Sequence, residues 1–338
     1  MDKDKLTVVC YGLGPIGRAA ARLALSRKRL KVVGAVDVDP EIVGRDLGLV
    51  CGLPSPALVD VTDDPVRLLA GKRVDVVLHA TGSRFAKVYD QLAEIAGNGA
   101  SVVSSCEELL FPWISDAEKA ESLDKLAASA GAVVVGTGVN PGFVLDTLAI
   151  CLSGACDGVR RIEGHRVVDA ATRRAPLLAK IGAGIEVAEF QRLKEERRIG
   201  HVGLIESLAL VADATGIART RGPIDFQETL EPVVARTRVQ AADLVVEPGR
   251  VAGVHQIAMG SAGGAEVLRL DLAMFVGAED PHDEIRIDAV PPIHARIHGG
   301  VAGDQATAAI LVNLLPLARA ARPGLRTMAD LPVPRYTG

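Results

Sequence analysis

Several stretches of this chain combine residue types at spacings that could do chemistry, and the first is Gly12-Leu-Gly14-Pro15-Ile16-Gly17, directly after the apolar run Leu6 to Tyr11. Between a strand and a helix the three glycines have separate tasks. Gly12 makes a tight turn, Gly14 leaves space for phosphates, and Gly17 lets the helix pack close to its strand. Pro15 and Ile16 open that helix, whose first N–H groups and positive dipole end favour a pyrophosphate. A second apolar run, Lys31 to Val36, ends in Asp37, about 20 residues past Gly17, where a carboxylate accepts hydrogen bonds from both ribose hydroxyls of an adenosine. Together these residues read as a site for NAD or NADP. Asp37 favours NAD because it repels a 2′-phosphate, and Arg45 stands where it would offset that charge, so both cofactors stay open.

In a parallel sheet the ligand lies beyond the carboxyl ends of the strands, which gives weight to the residues after each apolar run. Thr81 and Gly82, in Ala80-Thr-Gly-Ser83, suit a loop beside a nicotinamide ribose, or else form an ordinary βα turn. Ser105-Cys-Glu107-Glu108 places two carboxylates at the mouth of the expected cleft; adjacent side chains of an extended segment point apart, so at most one faces a substrate. Glu107, nearer the strand end, leads. Acidic residues that open a helix are also common for dipole reasons alone. In Gly136-Thr-Gly-Val-Asn140-Pro141-Gly-Phe143, Asn140 offers an amide for a carboxamide, Pro141 stiffens the turn and Phe143 forms an apolar wall. Lys180, beside Ile-Gly-Ala-Gly184, is a ligand contact or a solvated loop lysine.

Composition narrows the classes. Of 338 residues, 49% are hydrophobic and 24% charged, with a net charge of −4, so neither disorder nor binding to a nucleic-acid backbone is expected. No uncharged apolar run reaches spanning length and no cleavable leader precedes the first strand, which points to a soluble, cytoplasmic protein without a membrane partner. The five cysteines form no CxxC pair and read as buried free thiols. His294 and His298 lack a third ligand at sensible spacing, so no metal site is expected, and no Ser-His-Asp arrangement suggests itself.

The elements that must position these residues follow from periodicity. Apolar runs at Val74 to His79, Ala100 to Ser104 and Ala132 to Gly136 alternate with helical patterns at Phe85 to Ala96 and Asp116 to Ala130, which predicts a doubly wound parallel sheet. Beyond Asn140 a helix at Val144 to Cys151 and a strand at Arg161 to Val168 precede helices at Val187 to Arg197 and Leu204 to Ala214. Long β runs follow at Val233 to Val246, Arg250 to Met259, Val267 to Val276 and Glu284 to Ile297. These predict a second α+β domain on a mostly antiparallel sheet. Asp304 reads as the N-cap of a last helix, Gln305 to Ala321. The expected division is a dinucleotide-binding domain at 1–142, a substrate and dimerisation domain at 143–302, and a helix and tail at 303–338 that return to the first, with a cleft connecting the domains.

Taken jointly, several motifs resemble one family. They are Tyr11-GLGPIG-Arg18, Asp37-Val-Asp-Pro40 with Val43-Gly-Arg-Asp-Leu-Gly48, Ser105-CEELLFPW-Ile114, Thr137-GVNPGFVLD-Thr147, Lys180-IGAG, Gly200-HVGLIES-Leu208 and Gly303-DQATAAILVN-Leu314. The resemblance spans nearly the whole chain and is to the dihydrodipicolinate-reductase-like dehydrogenases, in the branch of 2,4-diaminopentanoate dehydrogenases and native amine dehydrogenases. It points away from dihydrodipicolinate reductase itself, whose paired-histidine signature falls near Glu163 to Ala175, where this chain reads EGHRVVDAATRRA.

The resemblance implies an NAD(P)-dependent amine dehydrogenase: a small ketone or aldehyde and ammonia are joined through an imine and reduced, reversibly. By it, the assisting carboxylate falls on the Glu107-Glu108 pair, Asn140 and Pro141 set the nicotinamide, and Phe143 bounds the substrate pocket. Arg173, Arg174 or Lys180 would meet a substrate carboxylate if there is one. Relatives imply a homodimer through the second domain's sheet. The alternatives are a 2,4-diaminopentanoate dehydrogenase, a dihydrodipicolinate-reductase-like enzyme, or a regulator that binds NAD(P) without catalysis.

Overall fold

The computed structural model describes residues 5–171, 175–241 and 244–337, apart from the side chain of Pro176. The chain divides into two compact units, Met1–Phe143 with Ala302–Gly338, and Val144–Val301.

The first unit begins with β1 (Leu6–Tyr11), α1 (Pro15–Ser26), β2 (Leu30–Val36), α2 (Leu47–Val50), β3 (Val61–Thr62) and α3 (Pro65–Gly71). It continues with β4 (Val76–His79), α4 (Phe85–Gly97), β5 (Ser101–Ser104), the 3-10 turn Glu107–Leu110, α5 (Ala117–Ala130) and β6 (Val133–Gly136). Strands β4, β5 and β6 are buried at every position. That is the signature of parallel strands covered by helices on both faces, which have no solvent side for polar residues. Their helices present one apolar stripe each: Phe85, Val88, Leu92 and Ile95 of α4 and Leu123 and Ala127 of α5 pack with Val77, Val102 and Val134 in one core. On α1 the buried residues are Gly17, Ala20, Ala21 and Ala24, small enough for close approach to the sheet.

The second unit opens with α6 (Thr147–Ser153), whose cap Asp146 accepts from Thr147 N–H and from the Ser207 hydroxyl. Then come β7 (Asp157–Asp169), α7 (Ala175–Lys180), α8 (Val187–Glu195), α9 (Leu204–Ala214) and α10 (Ile217–Arg221). The remaining strands are β8 (Asp225–Val234), β9 (Val239–Ala241), β10 (Leu244–Val246), β11 (Val251–Ala262), β12 (Ala265–Phe275), β13 (His282–Val290) and β14 (Ile293–His298). Six form a sheet in the order β14-β13-β7-β12-β11-β8, in which β7 and β12 run parallel and the other neighbours antiparallel. Along β7, Ile162, Gly164, Arg166 and Val168 are buried while the residues between them are half-exposed, the alternation of a sheet with one covered face. Arg166 is buried because it is paired: it reaches Asp283 on β13 and the carbonyl of Val301, and Asp283 accepts from Val301 N–H at 2.7 Å. This pair clamps the chain where it leaves the unit.

The chain ends in the first unit with α11 (Gly303–Ala320), packed on α1 and β5, and β15 (Gly324–Arg326), which adds to β6 in parallel. The completed first sheet is wholly parallel, in the order β15-β6-β5-β4-β1-β2-β3. Its direction of progression reverses between β1 and β4, the switch point at which such sheets bind ligands.

Several element boundaries differ from expectation, each for a physical reason. The run Val233 to Val246 is not one strand: the chain reverses so that Leu244 pairs with Ala241, and Val246 packs with Ala235 and Ala252 in a small core of its own. Glu284 to Ile297 is split by Pro291-Pro292, which cannot donate to the ladder. Asp304 is not the cap of α11; Ala302 is, and Asp304 lies in the first turn, where a carboxylate meets the positive helix end. The helix at Val144 begins instead at Thr147, behind Asp146. Strands β3 and β15 were too short to show a pattern. Cys10, Cys51 and Cys106 are buried, but Cys151 is exposed and Cys156 half-buried. Among the described residues, no helix is long and apolar enough to cross a membrane.

Candidate active site

Five strand ends of the first unit make one rim, because the residue after each strand continues the ladder to its neighbour. Gly12 N–H donates to Val36 O, Asp37 N–H to Thr62 O, Ala80 N–H to Tyr11 O, Ser105 N–H to His79 O and Thr137 N–H to Ser104 O, all at 2.8–3.1 Å. The loops that carry the candidate residues are thereby held side by side.

At Gly12, φ is +88°, and a Cβ there would stand 2.5 Å from Ala80 O. A Cβ on Gly17 would stand 1.8 Å from Gly12 O, so α1 can begin this close to β1 only with glycine at that position. Gly14 is the opposite case: it is exposed, and a Cβ on it meets nothing within 4 Å. The space over Gly14 and exposed Pro15 lies at the helix start, where the amides of half-buried Ile16 and buried Gly17 precede the first intrahelical bonds. These residues therefore fit a dinucleotide pyrophosphate. Asp37 is half-buried and braces the turn, accepting from Leu13 N–H at 2.5 Å and Asp39 N–H at 2.9 Å. A carboxylate has about four lone-pair sites, so capacity remains for ribose hydroxyls. Arg45 is exposed, with its guanidinium 3.3 Å from Glu41 O.

The Ala80–Ser83 loop differs from the expectation. The Thr81 hydroxyl does not stand open for a ribose: it donates to Gln91 Oε1 at 2.6 Å and lies 2.9 Å from His79 Nε2. Gly82 keeps an exposed backbone. Sequence reasoning passed over His79, a fully buried side chain at the end of β4. Its Nε2 meets Gln91 Oε1 and its Nδ1 meets the Ser104 hydroxyl, both at 2.9 Å. Since an amide oxygen can only accept, the proton sits on Nε2 and Nδ1 accepts from Ser104. Ser104 Oγ in turn accepts from Cys106 N–H at 3.1 Å, so the network braces the entry to the acidic turn. Burial pulls the His79 pKa down to about 4 and keeps the ring neutral. A histidine closing an otherwise apolar strand was the signal available in sequence.

The acidic pair separates into two roles. Glu108 is buried; its Oε1 accepts from Arg84 Nη1 and its Oε2 from Phe85 N–H, each at 2.7 Å. It thus serves the N-terminus of α4, through residues distant in sequence. Glu107 is half-buried on the same 3-10 turn. The turn sits directly against β6, because Gly136 has no Cβ to strike it.

In the last loop, Gly142 has φ +128° and a Cβ on it would stand 2.2 Å from Gly138 N, so the loop is folded tightly on itself. The Asn140–Pro141 peptide is cis, Asn140 is half-buried and Pro141 buried. Val139 N–H donates to Thr307 Oγ1 on α11 at 3.2 Å, which anchors the loop to the returning helix. Phe143 is half-buried, with its N–H on Val139 O at 3.2 Å. Thr137, which the sequence did not single out as a ligand, has a buried hydroxyl without a hydrogen-bond partner among the described residues. Lys180 belongs to the second unit, at the end of α7, with its carbonyl accepting from Gly200 N–H at 3.2 Å. Arg173 and Arg174 lie outside the described residues. Among the described residues no cluster of three or more His, Cys, Asp or Glu could hold a metal ion.

Residues 143–337 match the family described as the 2,4-diaminopentanoate dehydrogenase C-terminal domain. The chain is 32% identical to the 2,4-diaminopentanoate dehydrogenase of Acetoanaerobium sticklandii, over 98% of this chain and 95% of that one. It is 29% identical to an amine dehydrogenase of Streptomyces virginiae over 177 residues, 51% of this chain and 48% of that one. The solved amine dehydrogenase from Mycobacterium smegmatis superposes with a TM-score of 0.84 at 26% identity, over 98% of this chain and 97% of that one. With a glycine cradle built for a dinucleotide and a likeness that covers nearly its full length, the chain belongs to the 2,4-diaminopentanoate dehydrogenase family and is an NAD(P)-dependent oxidoreductase.

Proposed function

We propose that this protein catalyses the reversible reductive amination of a small ketone or aldehyde with ammonia, with Glu107 as the assisting carboxylate. The observation that carries the assignment is position: Glu107 stands on the 3-10 turn that follows β5, at the rim where the glycine turn and the Asn140 loop also emerge. Gly12, Gly14, Gly17 and Asp37 would hold the dinucleotide, which would supply or accept the hydride at the carbon that bears nitrogen.

The protein's part is electrostatic and positional. Glu107 takes the proton that ammonium must lose to become a nucleophile and returns it to the carbinolamine hydroxyl, which leaves as water; the carboxylate so regenerated balances the iminium cation. The Asn140 amide matches a carboxamide, and Pro141 holds its turn. Phe143 provides an apolar surface that keeps water from the imine. Asp37 makes NAD the better cofactor, since the guanidinium of Arg45 is directed to its own loop at Glu41. For a substrate that carries a carboxylate, Lys180 is the candidate cation. The relative from Acetoanaerobium sticklandii favours 2,4-diaminopentanoate as a second substrate reading.

The test is consumption of NADH and NADPH with a panel of small ketones and aldehydes, with and without ammonium, beside oxidation of 2,4-diaminopentanoate. Ammonium-dependent turnover is expected. Carbonyl reduction that proceeds equally without ammonium would make the protein an alcohol dehydrogenase instead. The second unit's sheet is proposed to pair two copies, and a monomeric mass in solution would refute that.

A further inference from the structure

At the opposite end of the first sheet lies a second cavity, of about 610 Å³. It takes in Leu6 and Leu30, the first residues of β1 and β2, whereas Gly12 and Asp37 follow the last ones. At about 3.3 Å per residue the two ends are roughly 20 Å apart, so this cavity is separate from the dinucleotide cradle.

Its charge is unusual for a chain of net charge −4. Lys5, Arg27, Arg29, Arg73, Arg319 and Arg335 line it, against a single carboxylate, Asp75. Asp75 is already engaged: it accepts from the Thr7 N–H and hydroxyl and lies 3.6 Å from both Arg73 and Arg319. Arg27, Arg29 and Arg335 have no carboxylate within 4.0 Å among the described residues. Helix dipoles account for two of the cations, since Arg27 follows the C-terminus of α1 and Arg319 is in the last turn of α11. They do not account for Arg29, Arg73 and Arg335, on two loops and the C-terminal tail.

Arg27 is also arranged in advance. Its guanidinium carbon lies over the Tyr336 ring, 4.5 Å from the centroid, and its Nε is buried without a hydrogen-bond partner among the described residues. The ring attracts the cation and holds it in place, and the forked N–H donors of a guanidinium match phosphate oxygens. Leu6, Leu30, Val312 and Leu317 give the same cavity an apolar side.

We propose that this cavity binds an organic phosphate, with the arginines around the phosphate and the apolar body against Leu30 and Leu317. Nothing in the proposed amination requires it. The probes are 1-naphthyl phosphate and 1-naphthoate, titrated calorimetrically into protein saturated with NAD so that the cradle is filled. One equivalent of the phosphate should bind saturably, and more weakly as salt rises. The Arg29→Ser/Arg335→Ser double variant, with both side chains exposed, should lose at least about tenfold in affinity, on the order of one charge-assisted hydrogen bond. Arg27→Ser should do the same, and unchanged NAD binding in each variant verifies that the fold is intact. The proposal is overturned if NAD-saturated protein shows no saturable binding, if both variants bind as the parent does, or if 1-naphthoate binds as tightly as the phosphate.

Discussion

Gly136 on β6 lies so close to Leu109 that a Cβ on the glycine would stand 2.5 Å from the Leu109 carbonyl carbon and 2.7 Å from its oxygen. Leu109 is in the same 3-10 turn as Glu107, so the strand sets the height of the carboxylate through this contact. Because the obstructing atoms are backbone, Gly136→Ala must displace the turn. The expected result is a loss of about 1–3 kcal/mol in stability and a fall in kcat at unchanged cofactor affinity. A variant with normal kcat would show that the height of the turn is immaterial.

Glu107→Gln and Glu108→Gln should fail in different ways. The first should retain cofactor binding and lose roughly 10²- to 10⁴-fold in turnover. The second weakens the charge-assisted bonds to Arg84 and Phe85 N–H and should unfold about 1–3 kcal/mol more easily. Denaturation curves beside steady-state rates separate the two; matching losses of turnover with no change in stability would reverse the assignment.

The glycines of the first turn make a similar pair. Gly14→Val adds atoms where nothing stands within 4 Å, so stability should stay within about 0.5 kcal/mol while NAD affinity drops at least about tenfold. Gly17→Ala collides with the Gly12 carbonyl and should impair folding itself. Full NAD affinity in Gly14→Val would remove the pyrophosphate from this turn.

His79 gives a pH signature. Its folded-state pKa, about 4, lies below the ordinary 6.5 because burial disfavours the cation. The unfolded chain therefore takes up a proton at a pH where the native protein does not. Stability from this group is complete above about pH 6.5, falls between there and about pH 4 by at most roughly 3 kcal/mol, and levels off below. Ring resonances of His79 should show no protonation step near pH 6.5; a midpoint there would mean that the ring is solvated and the network open.

The sequence by itself determined what depends on neighbours along the chain. Gly12, Gly14 and Gly17 stand within one turn, so the strand, the tight bend and the helix start follow from their spacing. The short runs at β4, β5 and β6, with Val and Leu at their centres, imply a parallel sheet, since such strands tolerate water on neither face. Pairing across the chain was decided only in three dimensions. Glu107 and Glu108 are chemically identical and adjacent, and what separates them is Arg84 and Phe85, over twenty residues away in sequence. Thr81 reads as a free hydroxyl until α4 brings Gln91 against it, and His79 reads as one more strand residue until Ser104 and Gln91 close around it. The arginines at the far end of the sheet, from Arg27 to Arg335, are scattered along the chain and line one cavity only when the starts of β1 and β2, α11 and the tail converge. Turns and periodicity are local and leave a mark in sequence; desolvation and charge pairing depend on which distant side chains arrive, and packing alone sets that.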